Sequence, residues 1–258
     1  VSGGPAYRFS RCPKCGCRDL PADQSLPAAC PACGVILAKV APQRPAPPSA
    51  RRAPAAAPGA GLQRWLLRVP ERVDPVRWWL RSGLLAALAA WGVWLIGLDY
   101  RSGEIGASFL HGPLLLFHEA GHVVFSPLGE WLMFLGGTLG QLLLPAIIIA
   151  AFLWKNRDPF GAAVGLWLLG VSLLDVAPYM YDALDPQLVL LSGHVGEAGG
   201  HDWIYLFESL GLRPRAQAIG ALTHKIGALV LLLALAWAAW LLALQRRRIG
   251  AGEVLHEE

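Results

Sequence analysis

Cysteine is missing from most of this chain: all five cysteines fall between positions 12 and 33 of its 258 residues. Disulfide staples are therefore excluded from everything downstream. Charge is scarce as well. Asp, Glu, Lys and Arg make up 16% of the residues, hydrophobic types 55%, and the mean hydropathy is +0.44. That balance fits few soluble domains. No internal repeat recurs. The first 60 residues are polar, with no apolar leader and no cleavage-type site, so no secretory signal is expected. The net charge of +4 is modest, and its basic residues flank the apolar segments. That suits juxtamembrane anchoring, and no nucleic-acid partner is expected.

What is present points to a membrane. Eleven tryptophans accompany runs such as "LLLFHEAGHVVF". The expected fold class is mainly α: a polytopic helical membrane bundle of about five spans, with a small N-terminal zinc-ribbon domain on a Pro/Ala-rich linker. The ribbon is expected over 8–40. The linker at 41–61 is too rich in Pro and Ala to bury a core. Residues 62–82 mix Trp, Leu and Arg and read as an amphipathic segment at the lipid headgroups. The transmembrane domain is expected over 83–248, with a tail at 249–258. Its apolar stretches are roughly 83–99, 106–126, 132–154, 160–181 and 216–244, each near the ~20 residues that cross a bilayer as a helix. Arg64, Arg68, Arg72, Arg77 and Arg81 precede the first span, which predicts a cytoplasmic N-terminus. Five crossings would place "QRRR" (245–248) outside, against the same rule. Either one span re-enters or the rule fails at the tail.

Cys12, Cys15, Cys30 and Cys33 form two Cys-x-x-Cys knuckles, "CPKCG" and "CPACG". Two tight turns offering four thiolates suit tetrahedral zinc, and Gly after each second Cys permits the turn. A pair of disulfides is the alternative, disfavoured in a reducing cytoplasm. Cys17 is read as an unliganded thiol. Four closed thiolates leave no catalytic position, so this zinc is structural and the unit's expected role is docking or regulation, with a cytoplasmic protein as partner.

The second apolar stretch contains His118-Glu119-Ala120-Gly121-His122. Imidazoles four residues apart share a helix face and can hold one Zn²⁺, while Glu119 can reach a water on the metal and take its proton. A charged residue at mid-membrane costs on the order of 2.5–3.5 kcal/mol. Structural zinc binding is worth about 10–16 kcal/mol in finger peptides, enough to offset the polar set. A polar cluster gluing helices together is the bland alternative. His111 precedes a Gly-Pro pair and reads as interfacial. Catalytic zinc usually has three protein ligands. Asp175, Asp182 and Asp185 at the end of the fourth stretch are candidates for the third, near Pro178, which would free helix backbone there.

The His-Glu-x-x-His helix, a Gly-rich turn at 135–141 and a later span with Pro and Asp resemble the site-2 protease (M50-type) family of intramembrane metalloproteases. The resemblance covers about residues 106–185. It implies a catalytic Glu119 and zinc on His118, His122 and Asp182, with Asp185 as second choice of ligand and Asp175 as a cavity or substrate-positioning group. The family's Asn-x-x-Pro and Leu-Asp-Gly are altered here: Asp175 replaces Asn, the Pro-to-Asp interval is one residue shorter, and Ala183 replaces Gly. His194, His201 and Asp202 are expected on a surface loop over the site, and His224-Lys225 at the interface.

The function expected is a zinc endopeptidase cutting membrane-protein substrates by a metal-activated water. Its cofactors are two Zn²⁺, one catalytic and one structural, and its surroundings the lipid bilayer, in a bacterial inner membrane. A non-catalytic membrane adaptor using the ribbon for partner binding is the alternative. A metal transporter is a weaker third, because a single clustered site offers no relay.

Overall fold

The computed structural model describes residues 9–21, 24, 28–37, 61, 65–70 and 73–254, with side chains to residue 249. Most of the expected linker and the end of the tail lie outside the described residues. The chain divides into two units, Val1–Ala57 and Pro58–Glu258. Among the described residues there is no β-strand, only isolated bridges between Ala29 and Ile36 and between Val189 and Val195.

The larger unit is helical. Its elements are α1 (Pro75–Gly97), α2 (His111–Phe125), α3 (Glu130–Ala151), α4 (Pro159–Asp182), α5 (Asp202–Ser209) and α6 (Ala216–Val254). Two starts are set by the same Asp-Pro device. The Asp74 carboxylate accepts from the Val76 N–H before α1, and Asp158 accepts from Phe160 before α4. Proline at the first helical position has no amide to leave unpaired. A π turn, Phe152–Asn156, and a left-handed Arg157 (φ 50°) reverse the chain between α3 and α4.

Among the described residues, four helices are long and apolar enough to cross a membrane: Pro75–Gly97, Glu130–Asn156, Pro159–Asp182 and Arg213–Ile249. They are consistent with an integral membrane protein. Outward-facing Trp79, Leu80, Val93, Val123, Ile147 and Leu232 are exposed, an apolar surface that suits lipid rather than water. The second apolar stretch becomes only the 15-residue α2. At 1.5 Å per residue it covers about 22 Å, short of a ~30 Å hydrocarbon core. Four crossings rather than five would remove the conflict over the basic flanks. Trp78 Nε1 donates to the Leu242 carbonyl at 3.0 Å and Arg248 Nη1 to the Pro70 carbonyl at 2.9 Å. The start of α1 and the end of α6 thus lie together. At the other end, Tyr100 packs on Tyr181 and stacks on His224 at 4.6 Å.

Other boundaries also move. Helix α1 absorbs the last residues of the segment expected to lie at the headgroups. The glycines of 135–141 do not make a turn; they lie inside α3. Pro178 does not unwind α4, which continues to Asp182.

α4 is the buried axis of the bundle. Leu95, Leu114, Trp167, Val171, Leu174 and Leu231 form its main cluster with residues of α1, α2 and α6. Where two helices touch, glycine lets the backbones approach. On α4 and α6, a Cβ on Gly170 would stand 2.8 Å from Leu231, and one on Gly227 2.9 Å from the Leu174 nitrogen. The α2–α3 crossing is tighter. A Cβ on Gly121 would fall 2.0 Å from the Gly136 carbonyl oxygen. Gly121→Ala should therefore force α2 from α3 and cost at least about 1–3 kcal/mol, the usual range for overpacking. A thermal melt in detergent reads this as a lower Tm. Gly83→Ala, with nothing within 4 Å of the added carbon, should leave Tm unchanged or raise it.

Candidate metal centre

Among the described residues, two groups of side chains have the donors and spacing to hold a metal ion: Cys12, Cys15, Cys30 and Cys33 in the smaller unit, and His118, Glu119 and His122 in the larger. Within each, the candidate ligand atoms lie within 4.8 Å of one another.

The cysteine group is made by two equivalent knuckles. Cys12 N–H donates to the Cys17 carbonyl and Gly16 N–H to that of Cys12. Cys30 N–H donates to Val35 and Gly34 N–H to Cys30, all at 2.8–2.9 Å. Gly16 and Gly34 take left-handed φ values of 74° and 68°, where a side chain would be strained. Cys12 Sγ lies 3.7 Å from Cys33 Sγ, and Cys15 Sγ 3.7 Å from Cys30 Sγ. A disulfide would need about 2.05 Å. A tetrahedral ion with metal–sulfur bonds near 2.3 Å sets its sulfurs about 3.8 Å apart. Burial opposes ionisation of Cys12, but the backbone N–H groups of Cys15 and Lys14 outweigh it and pull that thiol down to about 6. Cys15 goes the other way: against the lowering bond from the Cys17 backbone, the Cys33 thiol and burial push it up to about 12. Cys17 stands aside, with its Sγ 3.8 Å from the Asp19 carbonyl.

The histidine group is built on α2. The rings of His118 and His122 lie 4.9 Å apart, edge to face. His122 Nδ1–H donates to the Met133 carbonyl at 2.8 Å, which leaves the Nε2 lone pair free for a ligand role. Gly137 of α3 makes the room. A Cβ there would stand 2.5 Å from the Nε2 atoms of both imidazoles.

The carboxylate that meets both imidazoles is that of Asp202, not Asp182. Asp202 Oδ2 lies 2.9 Å from His118 Nε2 and 3.3 Å from His122 Nε2. Ligand atoms on a tetrahedral ion with bonds of 2.0–2.1 Å are about 3.3 Å apart, so this donor set fits one. The Asp202 N–H donates to the Tyr179 hydroxyl at 2.9 Å. This tethers the first turn of α5 to α4.

Asp182 has a different task. Its Oδ1 accepts from the backbone N–H groups of Gln187 and Leu188, at 2.7 and 3.1 Å. Its Oδ2 is 3.3 Å from Nε2 of the fully buried His201. His201 Nδ1 accepts from the Ile204 N–H and caps α5. Asp182 therefore fixes the loop and the cap that present Asp202. The expected surface loop at 192–207 divides: His194 stays exposed, while His201 and Asp202 are buried. Asp185 lies on the exposed loop, 3.4 Å from Gln187 Nε2. His111, expected at an interface, instead meets Asp175.

A cavity of about 670 Å³ opens over the group, within the range of small-molecule and cofactor sites. His118, Glu119, His122 and Asp202 line it, and so do His111 and Asp175. Glu119 is exposed there. Two features escaped sequence reading. Asp202 is 84 residues from His118, so no local spacing joins them. The available signal was "GGHDW": glycines that permit a sharp return, then a helix-capping His and an acid on the first turn. Tyr179 carried no signal beyond its place one residue after Pro178. No protein-family model, curated protein or solved structure matches the chain.

Proposed function

We propose that the chain is an intramembrane zinc metalloendopeptidase, with His118, His122 and Asp202 holding the catalytic zinc and Cys12, Cys15, Cys30 and Cys33 a structural one. The observation that carries the reading is the meeting of one carboxylate oxygen with two imidazole Nε2 atoms beside a cavity that also admits Glu119. Zinc bound there supplies a Lewis acid that polarises the scissile carbonyl and acidifies water. The residues do the rest. Glu119 takes the proton of the attacking water and returns it to the leaving amine nitrogen, so its carboxylate is regenerated each cycle. Tyr179 and the Met133 carbonyl hold Asp202 and His122 in place. The Asp182–His201 pair positions Asp202 from behind.

The reading keeps the likeness to site-2 proteases at the histidine helix and departs from it at the third ligand. In this chain that ligand comes from α5, beyond the loop that follows the Pro-containing span. The substrate class is a membrane protein whose helix is locally unwound to expose a peptide bond. The basic flanks meet at one end of the bundle, which supports a cytoplasmic N-terminus; the membrane proposed is a bacterial inner membrane. The four-cysteine unit would then dock a cytoplasmic partner.

A comparison of membrane proteomes tests the activity. Cells carrying Glu119→Gln at native expression should accumulate uncut membrane proteins that wild-type cells process. No difference would favour the adaptor reading, in which the ribbon binds partners and the histidine group is inert.

A further inference from the structure

The cavity contains a second polar cluster that the proposed chemistry does not use. His111 Nδ1 lies 2.9 Å from Asp175 Oδ1, and Gln141 Nε2 donates to Asp175 Oδ2 at 2.8 Å. Asp175 and Gln141 are buried, and His111 is partly open. All three line the cavity. With both carboxylate oxygens accepting, Asp175 is satisfied in its charged form. His111 Nδ1 then carries a proton, and no partner for Nε2 occurs among the described residues. Polar groups inside an apolar bundle are costly and mark function unless they are structural glue. Glue would leave no ring edge open to the cavity.

Position gives the role. His111 precedes His118 by seven residues on one helix, so the two share a face about 10.5 Å apart along the axis. That is too far to act on the bond at the metal. It matches about three residues of extended chain at 3.3–3.4 Å each. A substrate helix must unwind to be cut, and its freed carbonyls then lack donors in an apolar site. We propose that His111, oriented by Asp175 and Gln141, is a substrate-binding residue that donates from Nε2 to a backbone carbonyl about three residues from the scissile bond. In that state the ring is an imidazolium, its charge balanced by Asp175. The inference rests on the endopeptidase reading and names a subsite for it.

An ester scan tests it. The probe is a single-span Leu/Ala peptide with a central Gly-Pro, presented in detergent to the full chain loaded with zinc. Each backbone amide is replaced in turn by an ester, which weakens the adjacent carbonyl as an acceptor. One ester, about three residues from the cut, should lower kcat/KM about tenfold through KM. The same ester should have no further effect in His111→Phe/Asp175→Asn, a pair that strands no buried charge. Binding of the same peptides to Glu119→Gln gives a readout that needs no hydrolysis. There the ester should weaken affinity only when His111 is present. A flat scan, or an ester effect that persists without His111, overturns the proposal. If the peptides bind with this pattern yet are never cut, the endopeptidase reading fails and the subsite stands. His111→Gln, which keeps a donor, should recover part of the affinity; equal loss in both variants would reduce the cluster to a structural one.

Discussion

Glu119→Gln should lower turnover by about 10²- to 10⁴-fold, the usual contribution of a positioned general base. The amide has the shape of the carboxylate and keeps its hydrogen-bonding reach, but it cannot take a proton from water. Glu119 is exposed in the cavity, one residue from His118, and the Asp202 carboxylate already meets both imidazoles. Metal content should therefore be unchanged, at two ions per chain in elemental analysis. The combination matters. Loss of turnover together with one ion would make Glu119 a ligand, and turnover above a tenth of wild type would remove it from proton transfer.

The second large effect separates the two aspartates. Asp202→Ala should reduce metal from two ions per chain to one, because Asp202 Oδ2 is the atom shared by His118 and His122. The loss of affinity should exceed the 10- to 100-fold typical of removing an outer partner. Asp182→Asn should stay within that outer-partner range. Its Oδ1 can still accept from Gln187 and Leu188, and only the contact with His201 is weakened. Dialysis against a graded chelator measures both. Stripping by Asp182→Asn with retention by Asp202→Ala would reverse the assignment.

These two residues also mark where the sequence was legible. His118, Glu119 and His122 stand at helical spacing inside an apolar run, so their grouping is local and their cost in lipid makes them conspicuous. The cysteine knuckles are local in the same way, each closed by the turn that its own glycine permits. The proposed third ligand depends on tertiary structure. It arrives on the eight-residue α5, after a loop held by Asp182, and nothing in the spacing of 118 and 202 records that closure. Asp182 attracted attention because it ends a span, yet the end of α4 is where backbone N–H groups of the following loop need an acceptor.

The helices were legible from hydropathy, but their number was not. The run around 106–126 is apolar enough for a span, and only the placement of Gly112-Pro113 early in α2 reveals that the helix starts late. The glycines of α3 were misread as a turn because glycine breaks helices in water. In an apolar bundle it also permits contact, and Gly136 and Gly137 lie against α2 and its two histidines. Pro178 was misread for a related reason. A helix buried among neighbours tolerates the missing hydrogen bond that would end an exposed one.

Zinc K-edge X-ray absorption of the full chain with Cys12, Cys15, Cys30 and Cys33 all changed to Ser is the most direct test of the intramembrane centre. One ion per chain should remain, with only nitrogen and oxygen neighbours at about 2.0–2.1 Å and the scattering signature of two imidazoles. An absence of stoichiometric metal, or a bound ion without imidazole neighbours, would contradict the account.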